Sequence, residues 1–164
     1  MKTILNWKKG LFKNSYEIYS DSTHVGYLKE KSWAQTSTGE LNGEKFHFRI
    51  KGFFNKEALV FSSESNTPVG KISYNCWMTR TKIEYGGKVY NWKYNNIWNT
   101  SWKLYNVEGL ELKYNCSATN GRIESDLENN FLILSGLYVH NYYVQTTLVT
   151  MIVIFLPLWV TLFN

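Results

Sequence analysis

The side chains that most often carry out catalysis are few in this chain and stand apart from one another. His24, His47 and His140 have no carboxylate or Cys at the spacing of a metal-ligand set. Cys76 and Cys116 are the only cysteines and form no CxxC motif. No GxSxG, HExxH, P-loop or paired-carboxylate signature is present. We therefore expect a protein that is not an enzyme and that has no metal or cofactor.

Lys and Arg side chains offer a different chemistry, the binding of anions. The formal net charge is +5 and the pI is about 9.1, which favours an anionic partner. A basic side chain near an anionic membrane surface contributes about 1 kcal/mol to binding, although charges on the polar side of a strand more often serve only solvation. Five residues on the outward side of predicted strands form a candidate patch for lipid headgroups: Arg49, Lys51, Arg80, Lys82 and Lys93.

Aromatic residues among these cations raise a second possibility, the stacking of nucleic-acid bases. The relevant side chains are Trp33, Phe48, Trp77 and Trp92. They recur at repeated positions and have the inward parity of their strands, which favours core packing. We therefore expect no nucleic-acid partner.

An internal repeat with an offset of 44 residues organises the body of the chain. Val25-Gly26 returns as Val69-Gly70, and identical residues also recur at other positions of the two units. These pairs are Trp33 and Trp77, Gly43 and Gly87, Asn55 and Asn99, and Glu64 and Glu108.

Within each unit the apolar residues alternate with polar ones, as in half-buried strands. Asn42-Gly43 and Gly86-Gly87 are typical of tight hairpin turns, and turns are also expected at 66–68 and 107–109. So many short antiparallel strands predict a meandering sheet that closes into a barrel. The strands are predicted near 15–20, 25–31, 33–39, 45–51, 57–62, 69–75, 77–85, 88–95, 101–105, 110–115 and 119–124.

A helix is predicted after the last strand. The spacing of Ser125 and Glu128 matches a capping box, so the helix should begin near Asp126. From Phe131 the sequence FLILSGLYVHNYYV is apolar on nearly every face, and such a helix must be surrounded by protein or by lipid.

The C-terminal end differs from the body because all 18 Lys or Arg and all 13 Asp or Glu precede residue 129. A polar cluster from His140 to Gln145 is expected at a water-facing boundary. Residues 146–163 then form an uncharged apolar segment, about the length of the 20-residue helix that crosses a bilayer. Pro157 would kink this segment, which membrane helices tolerate.

The duplicated pattern VG…W…NG-x-x-F-x-F, with its second copy VG…W…GG-x-x-Y-x-W and the following FLILSGLYVHNYY, resembles the tubby C-terminal-like superfamily. Phospholipid scramblases and LURP-one-related proteins share its barrel. The resemblance covers about residues 16–144. It implies a mainly β fold, a closed antiparallel barrel of about twelve strands around a hydrophobic C-terminal helix, and proximity to lipid. Scramblases carry a calcium-associated acidic stretch before the last helix, where this chain has Glu124, Asp126 and Glu128, but the spacing of a calcium loop is missing.

These observations predict residues 1–144 as a barrel with a central helix at about 125–144, and residues 145–164 as an apolar extension that anchors the chain in a membrane. We expect a cytoplasmic barrel, tethered by a single C-terminal span, that binds anionic lipid or serves as a scaffold. Two alternatives stay open. One is a soluble intracellular adaptor whose apolar end packs in the barrel or in a homo-oligomer interface, and the other is scramblase-like lipid transfer.

Overall fold

The computed structural model describes residues 2–10, 15–30, 36–51, 57–75 and 77–162. It confirms the predicted architecture, a closed antiparallel barrel of twelve strands with one helix after them. Each strand pairs with its neighbours in sequence, and β1 also pairs with β12. The strands are β1 Thr3–Lys9, β2 Ser15–Ser20, β3 Thr23–Glu30, β4 Thr36–Leu41, β5 Glu44–Lys51, β6 Glu57–Ser62, β7 Pro68–Tyr74, β8 Arg80–Tyr85, β9 Lys88–Tyr94, β10 Ser101–Tyr105, β11 Glu111–Cys116 and β12 Asn120–Ser125.

The internal repeat corresponds to two blocks of four strands, β3–β6 and β7–β10. The repeated Val-Gly pair marks an irregularity in the sheet. Between β2 and β3, Ile18 pairs with Gly26 and Tyr19 pairs with His24, so Val25 is the extra residue of a bulge. The same shift of register between β6 and β7 makes Val69 the extra residue there. The repeated turns also form as predicted, because Asn42, Gly43, Gly86 and Gly87 all have positive φ.

Strand β1 was not predicted from the sequence, and it closes the barrel. Thr3–Lys9 contains two lysines and only two buried side chains, Leu5 and Trp7, so its alternation is too short to be a clear strand pattern. In the structure β1 pairs with both β2 and β12. Pairing on both sides leaves the sheet without a free edge, which stabilises an otherwise weak strand.

The helix α1 spans Asn130–Leu162, and the predicted capping box is wrong. Ser125 is the last residue of β12 and is paired with Thr3 and Leu112, so its backbone belongs to the sheet. The helix is capped instead by Asn129, whose side-chain Oδ1 accepts a hydrogen bond of 3.0 Å from the backbone N–H of Leu132.

The first half of α1 fills the barrel. All side chains from Phe131 to Leu134 and from Leu137 to Asn141 are buried. Gly136 lets two aromatic side chains approach the helix backbone. The indole N–H of Trp92 donates a 3.0 Å hydrogen bond to the Gly136 carbonyl, and the Tyr114 hydroxyl donates a 3.2 Å bond to the Leu132 carbonyl. The helix is thereby held at a fixed height inside the barrel.

The prediction that the repeated aromatic residues belong to the core holds for some of them. Phe48 and Trp92 are fully buried, as their inward parity indicates. Trp77 is 84% exposed, because β8 begins only at Arg80 and Trp77 lies in the preceding connection. Trp33 and Asn55 lie outside the described residues, so these two positions of the repeat stay predictions, and Cys76 also lies outside them.

Candidate functional site

The candidate site is the end of the barrel from which α1 leaves, which we call the exit rim. It is formed by the last residues of the odd-numbered strands and the first residues of the even-numbered strands. Phe131, at the start of α1, stacks on Tyr85 at the opposite end, the far rim. About one turn before the helix becomes exposed, the hydroxyl of Tyr143 donates a 2.9 Å hydrogen bond to the carbonyl of Arg80 at the exit rim.

A polar network around Asn141 joins α1 to three strands at the exit rim. The Asn141 Oδ1 atom accepts hydrogen bonds from Lys9 Nζ at 2.9 Å and from the Tyr16 hydroxyl at 3.1 Å. Its Nδ2 atom donates to Glu30 at 3.0 Å, and Gln145 also donates to Glu30. Part of the polar cluster expected at a water-facing boundary is therefore buried against the barrel. Because a buried polar group without a partner is costly, the network fixes the point at which the helix leaves.

The charges of this network are shifted by their surroundings. Burial lowers the pKa of Lys9, and the nearby Glu30 carboxylate partly offsets this effect. Burial likewise raises the pKa of Glu30, against the opposing effects of the Asn141 hydrogen bond and the charge of Lys9. Burial thus disfavours the charged form of both groups, and the amide of Asn141 is hydrogen-bonded to each of them. This arrangement joins the helix to the strands.

Charge is distributed unevenly between the two ends of the barrel. In the described connections and half-strands nearer the exit rim, nine basic residues accompany three Glu; toward the far rim, four Lys accompany ten Asp or Glu. Lys71 and Lys103 are at strand midpoints and belong to neither end. The exit rim is therefore cationic and the far rim anionic. The basic residues toward the exit rim are Lys8, Lys9, Lys29, Arg49, Lys51, Arg80, Lys82, Lys93 and Arg122.

All five residues of the predicted headgroup patch lie toward the exit rim, but they form two groups. Arg49 and Lys51 are on β5, three strands from β8, which corresponds to about 14 Å across the sheet. Arg80 and Lys82 are on β8, and Arg80 is directly opposite Lys93 of β9. Among the described residues, none of the five forms an ion pair. Like charges in register repel each other, so the pairing of Arg80 with Lys93 does not stabilise the sheet.

Two connections at the exit rim share a structure that the sequence reasoning missed. Residues 75–79 and 96–100 both read Asn-x-Trp-x-Thr, and we call them the Trp loops. In each, the Asn side-chain oxygen accepts a hydrogen bond from the backbone N–H of the Thr, at 3.0 Å in the first loop and 3.1 Å in the second. The two Asn-x-Trp-x-Thr motifs are 21 residues apart, an offset different from the 44 of the internal repeat, and this shared motif is the signal by which the sequence could have revealed the Trp loops.

The Trp loops present apolar side chains to solvent. Trp77 is 84% exposed, Ile97 88% and Trp98 79%. Because β8 and β9 are paired neighbours, the two loops lie about 10 Å apart along the rim. Between them and the emerging helix is a groove of about 200 Å³. It is lined by Met78, Tyr94, Asn99, Tyr143, Val144, Thr147, Leu148 and Met151.

Beyond the exit rim, α1 continues without interruption as an unpacked apolar helix. Side chains 144–146 are half-buried, and those from Thr147 to Thr161 are exposed. By length and composition α1 is able to cross a membrane, and none of its most apolar 18-residue stretch is buried, unlike the core helix of a soluble protein. The hydroxyls of Thr146, Thr147 and Thr150 donate to backbone carbonyls one turn earlier. The tail thus satisfies its own polar groups, as a helix in lipid must.

Within the described part of the chain, no group of three or more His, Cys, Asp and Glu side chains is arranged to hold a metal ion. His140 packs face to face on Trp102 with ring centroids 3.8 Å apart, and it is 3.2 Å from the Tyr94 hydroxyl. Its position is that of a core side chain. Comparison with protein-family models, with curated proteins and with solved structures gave no match.

Proposed function

We propose that this protein is a non-enzymatic, tail-anchored barrel that is held against a membrane and binds anionic lipid headgroups with its exit rim. The observation that carries the proposal is one continuous helix, which is buried in the barrel over its first half and exposed and apolar over its second. In this proposal the tubby-like resemblance describes the barrel, and residues 146–163 are an added span. Phe163 of this segment lies outside the described residues.

The absence of a linker makes the tether rigid. The helix is fixed in the barrel by the Asn141 network, and it becomes exposed within two turns of that residue. From Thr146 to Leu162 it measures about 26 Å, slightly less than the roughly 30 Å hydrocarbon core of a bilayer. A span of this length leaves no slack, so an inserted tail would hold the exit rim at the membrane surface.

The charge of the exit rim supports an anionic leaflet as the surface. The cations there outnumber the acids, whereas the opposite end would point away from the membrane with its excess of Asp and Glu. A basic residue near such a surface contributes about 1 kcal/mol, so Arg80 and Lys82 together would contribute about 2 kcal/mol, or roughly a 30-fold change in partitioning.

The tether is tested by carbonate-resistant membrane fractionation of the full chain beside a version that ends at Gln145. We expect the full chain to sediment with membranes and the shortened chain to stay soluble and folded, as monitored by circular dichroism. A soluble full chain would contradict the proposal. If it were also a dimer, the apolar tail would be covered by a second copy, which is the adaptor alternative.

Headgroup binding is tested separately with the shortened chain and vesicles that contain phosphatidylserine. The double variant Arg80→Glu with Lys82→Glu should lose at least about 30-fold in partitioning. The matched control, Lys45→Glu with Lys88→Glu, makes the same change in net charge toward the far rim and should bind nearly as well as the parent. Equal losses in the two double variants would indicate a response to net charge alone.

A further inference from the structure

We infer that the two Trp loops are membrane-insertion loops, which place Trp77, Ile97 and Trp98 in the interfacial layer of the same phospholipid leaflet that the tail enters. This inference rests on the proposed function, since it requires the tail to be in the bilayer. Insertion of these loops would add an apolar contact with the membrane to the electrostatic contact of the exit rim. It would also give a role to three exposed side chains that are not part of the barrel core.

Hydrogen bonds within the Trp loops hold the loops from which these side chains extend into water. In the loop 75–79, the Asn75 side chain accepts from the backbone N–H groups of both Thr79 and Arg80 and donates to the Thr79 hydroxyl. Asn96 makes the corresponding bonds to the backbone and hydroxyl of Thr100. These bonds tie the two ends of each loop together, and Trp77 and Trp98 extend from the loops into water.

The Trp loops lie beside the part of α1 where the helix becomes exposed. Met78 of the first loop and Asn99 of the second line the same groove as Thr147, Leu148 and Met151 of α1. These helix residues are the first turn of the exposed apolar segment. When that turn enters the bilayer, the neighbouring loop tips reach the headgroup region at the same level.

The residue types in and beside the Trp loops suit the surface of an anionic membrane. Trp prefers the membrane interface, because its ring is apolar and its indole N–H remains in contact with polar groups. Each Trp loop is adjacent to a cation, since Arg80 directly follows the first loop and Lys93 comes shortly before the second, and these two residues face each other across β8 and β9. The Trp side chains at the loop tips would contact the apolar part of an anionic phospholipid surface, and the neighbouring cations would contact its charged headgroups.

The far rim lacks this combination. Among its described residues the exposed large apolar side chains are aliphatic: Val107 is 96% exposed, and Ile4, Val89 and Leu127 are 42–49% exposed. Val107 lies in a turn beside Glu108. Scattered exposed aliphatic residues are ordinary at a protein surface, whereas two exposed Trp and an Ile on adjacent loops are not. Val107 therefore serves as an internal control for the experiment.

The test uses the full chain reconstituted in vesicles of phosphatidylcholine and phosphatidylserine. In a background with Cys76→Ser and Cys116→Ser, an environment-sensitive fluorophore is attached at one of three positions: Ile97→Cys in a Trp loop, Val107→Cys at the far rim, or Leu158→Cys in the tail. Quenching by lipids that carry a nitroxide is then measured for each. We expect a blue shift and quenching at positions 97 and 158, and neither at 107.

Each alternative outcome has a distinct meaning. Quenching at 158 but not at 97 would overturn the insertion loops and leave the tail anchor in place. Quenching at neither 97 nor 158 would overturn the proposed function and this inference together. Quenching at 107 as strongly as at 97 would also contradict the inference, since the barrel would then have no preferred end toward the lipid.

Discussion

Two neighbouring residues of α1, Ser135 and Gly136, should respond in opposite directions to the same replacement, alanine. Intrinsic helix propensity favours Ala at both positions, by about 1 kcal/mol over Gly. The tertiary structure reverses this preference at Gly136. A Cβ there would lie 2.3 Å from the hydroxyl oxygen of Tyr114 and 2.5 Å from its Cζ atom. Tyr114 cannot easily retreat, because it is fully buried and stacks on Trp102 with ring centroids 5.3 Å apart.

The magnitude follows from three effects. Overpacking a core costs about 1–3 kcal/mol. Displacing the Tyr114 hydroxyl from the helix carbonyls that it contacts at 3.2 and 3.3 Å leaves a buried donor unpaired, which costs about 1–3 kcal/mol more. After the gain in helix propensity is subtracted, Gly136→Ala should lower the free energy of unfolding by about 1–5 kcal/mol.

Ser135→Ala is the matched control, because its hydroxyl is fully buried and has no hydrogen-bond partner among the described residues. Removing an unsatisfied hydroxyl should stabilise the chain by about 1 kcal/mol. The assay is thermal unfolding of the full chain in a non-ionic detergent, followed by Trp fluorescence, in which 1 kcal/mol corresponds to a change in Tm of about 2–4 °C.

A double variant identifies the contact responsible. Tyr114→Phe removes the atom nearest to the added Cβ, so Gly136→Ala should cost less in that background than in the parent, a departure from additivity expected of residues in contact. The reasoning would be refuted if Gly136→Ala raised the Tm as Ser135→Ala does, since the helix would then not be held against β11.

Three further predictions concern the buried network of α1, the N-cap of α1 and an ion-pair cluster at the surface. Asn141→Leu should destabilise the full chain by about 3 kcal/mol in the same assay, because it removes the partner of buried polar groups on β1, β2 and β3; an unchanged Tm would mean that water replaces the amide. Asn129→Ala should cost about 1 kcal/mol as the loss of a helix cap, and a neutral result would place the cap elsewhere. Hydrogen bonds from Lys103 and Lys113 hold the pKa of Glu111 below its ordinary value of 4.5, so its stabilisation is present above that pH and is lost as the pH falls through the lower folded-state pKa. Glu111→Gln should therefore lower the Tm at neutral pH and have no effect in strong acid; a deficit that persists in acid would argue against the ion pairs.

The barrel could be predicted because its strands carry a local pattern, whereas some elements could not. Alternation of apolar and polar residues and the Asn-Gly and Gly-Gly turns specify hairpins within short stretches of sequence. Strand β1 has a weak pattern and depends on pairing with β2 and β12. The second of these partners is distant in sequence. The capping box at Ser125 matched a local motif, but pairing with Thr3 and Leu112 took precedence. Tertiary pairing thus decided both of these points.

The candidate site was only partly accessible from the sequence. Outward parity correctly placed Arg49, Lys51, Arg80 and Lys82 on the exposed face of the barrel. That these residues lie toward one end, and that this is the end from which the helix leaves, depends on strand direction and on where α1 is held. Trp77 was expected in the core because a repeat predicts similar positions but does not predict where a strand begins.

The sequence by itself determined that this protein has a charged, β-rich body and an uncharged apolar end, because composition and short-range periodicity act along the chain. Only the tertiary structure decided how the two are joined. It placed the first half of α1 inside the closed sheet and fixed the exit through the bonds of Asn141. It also brought the cations and both Trp loops around that exit. These relations arise from contacts between residues far apart in the chain, which no local pattern records.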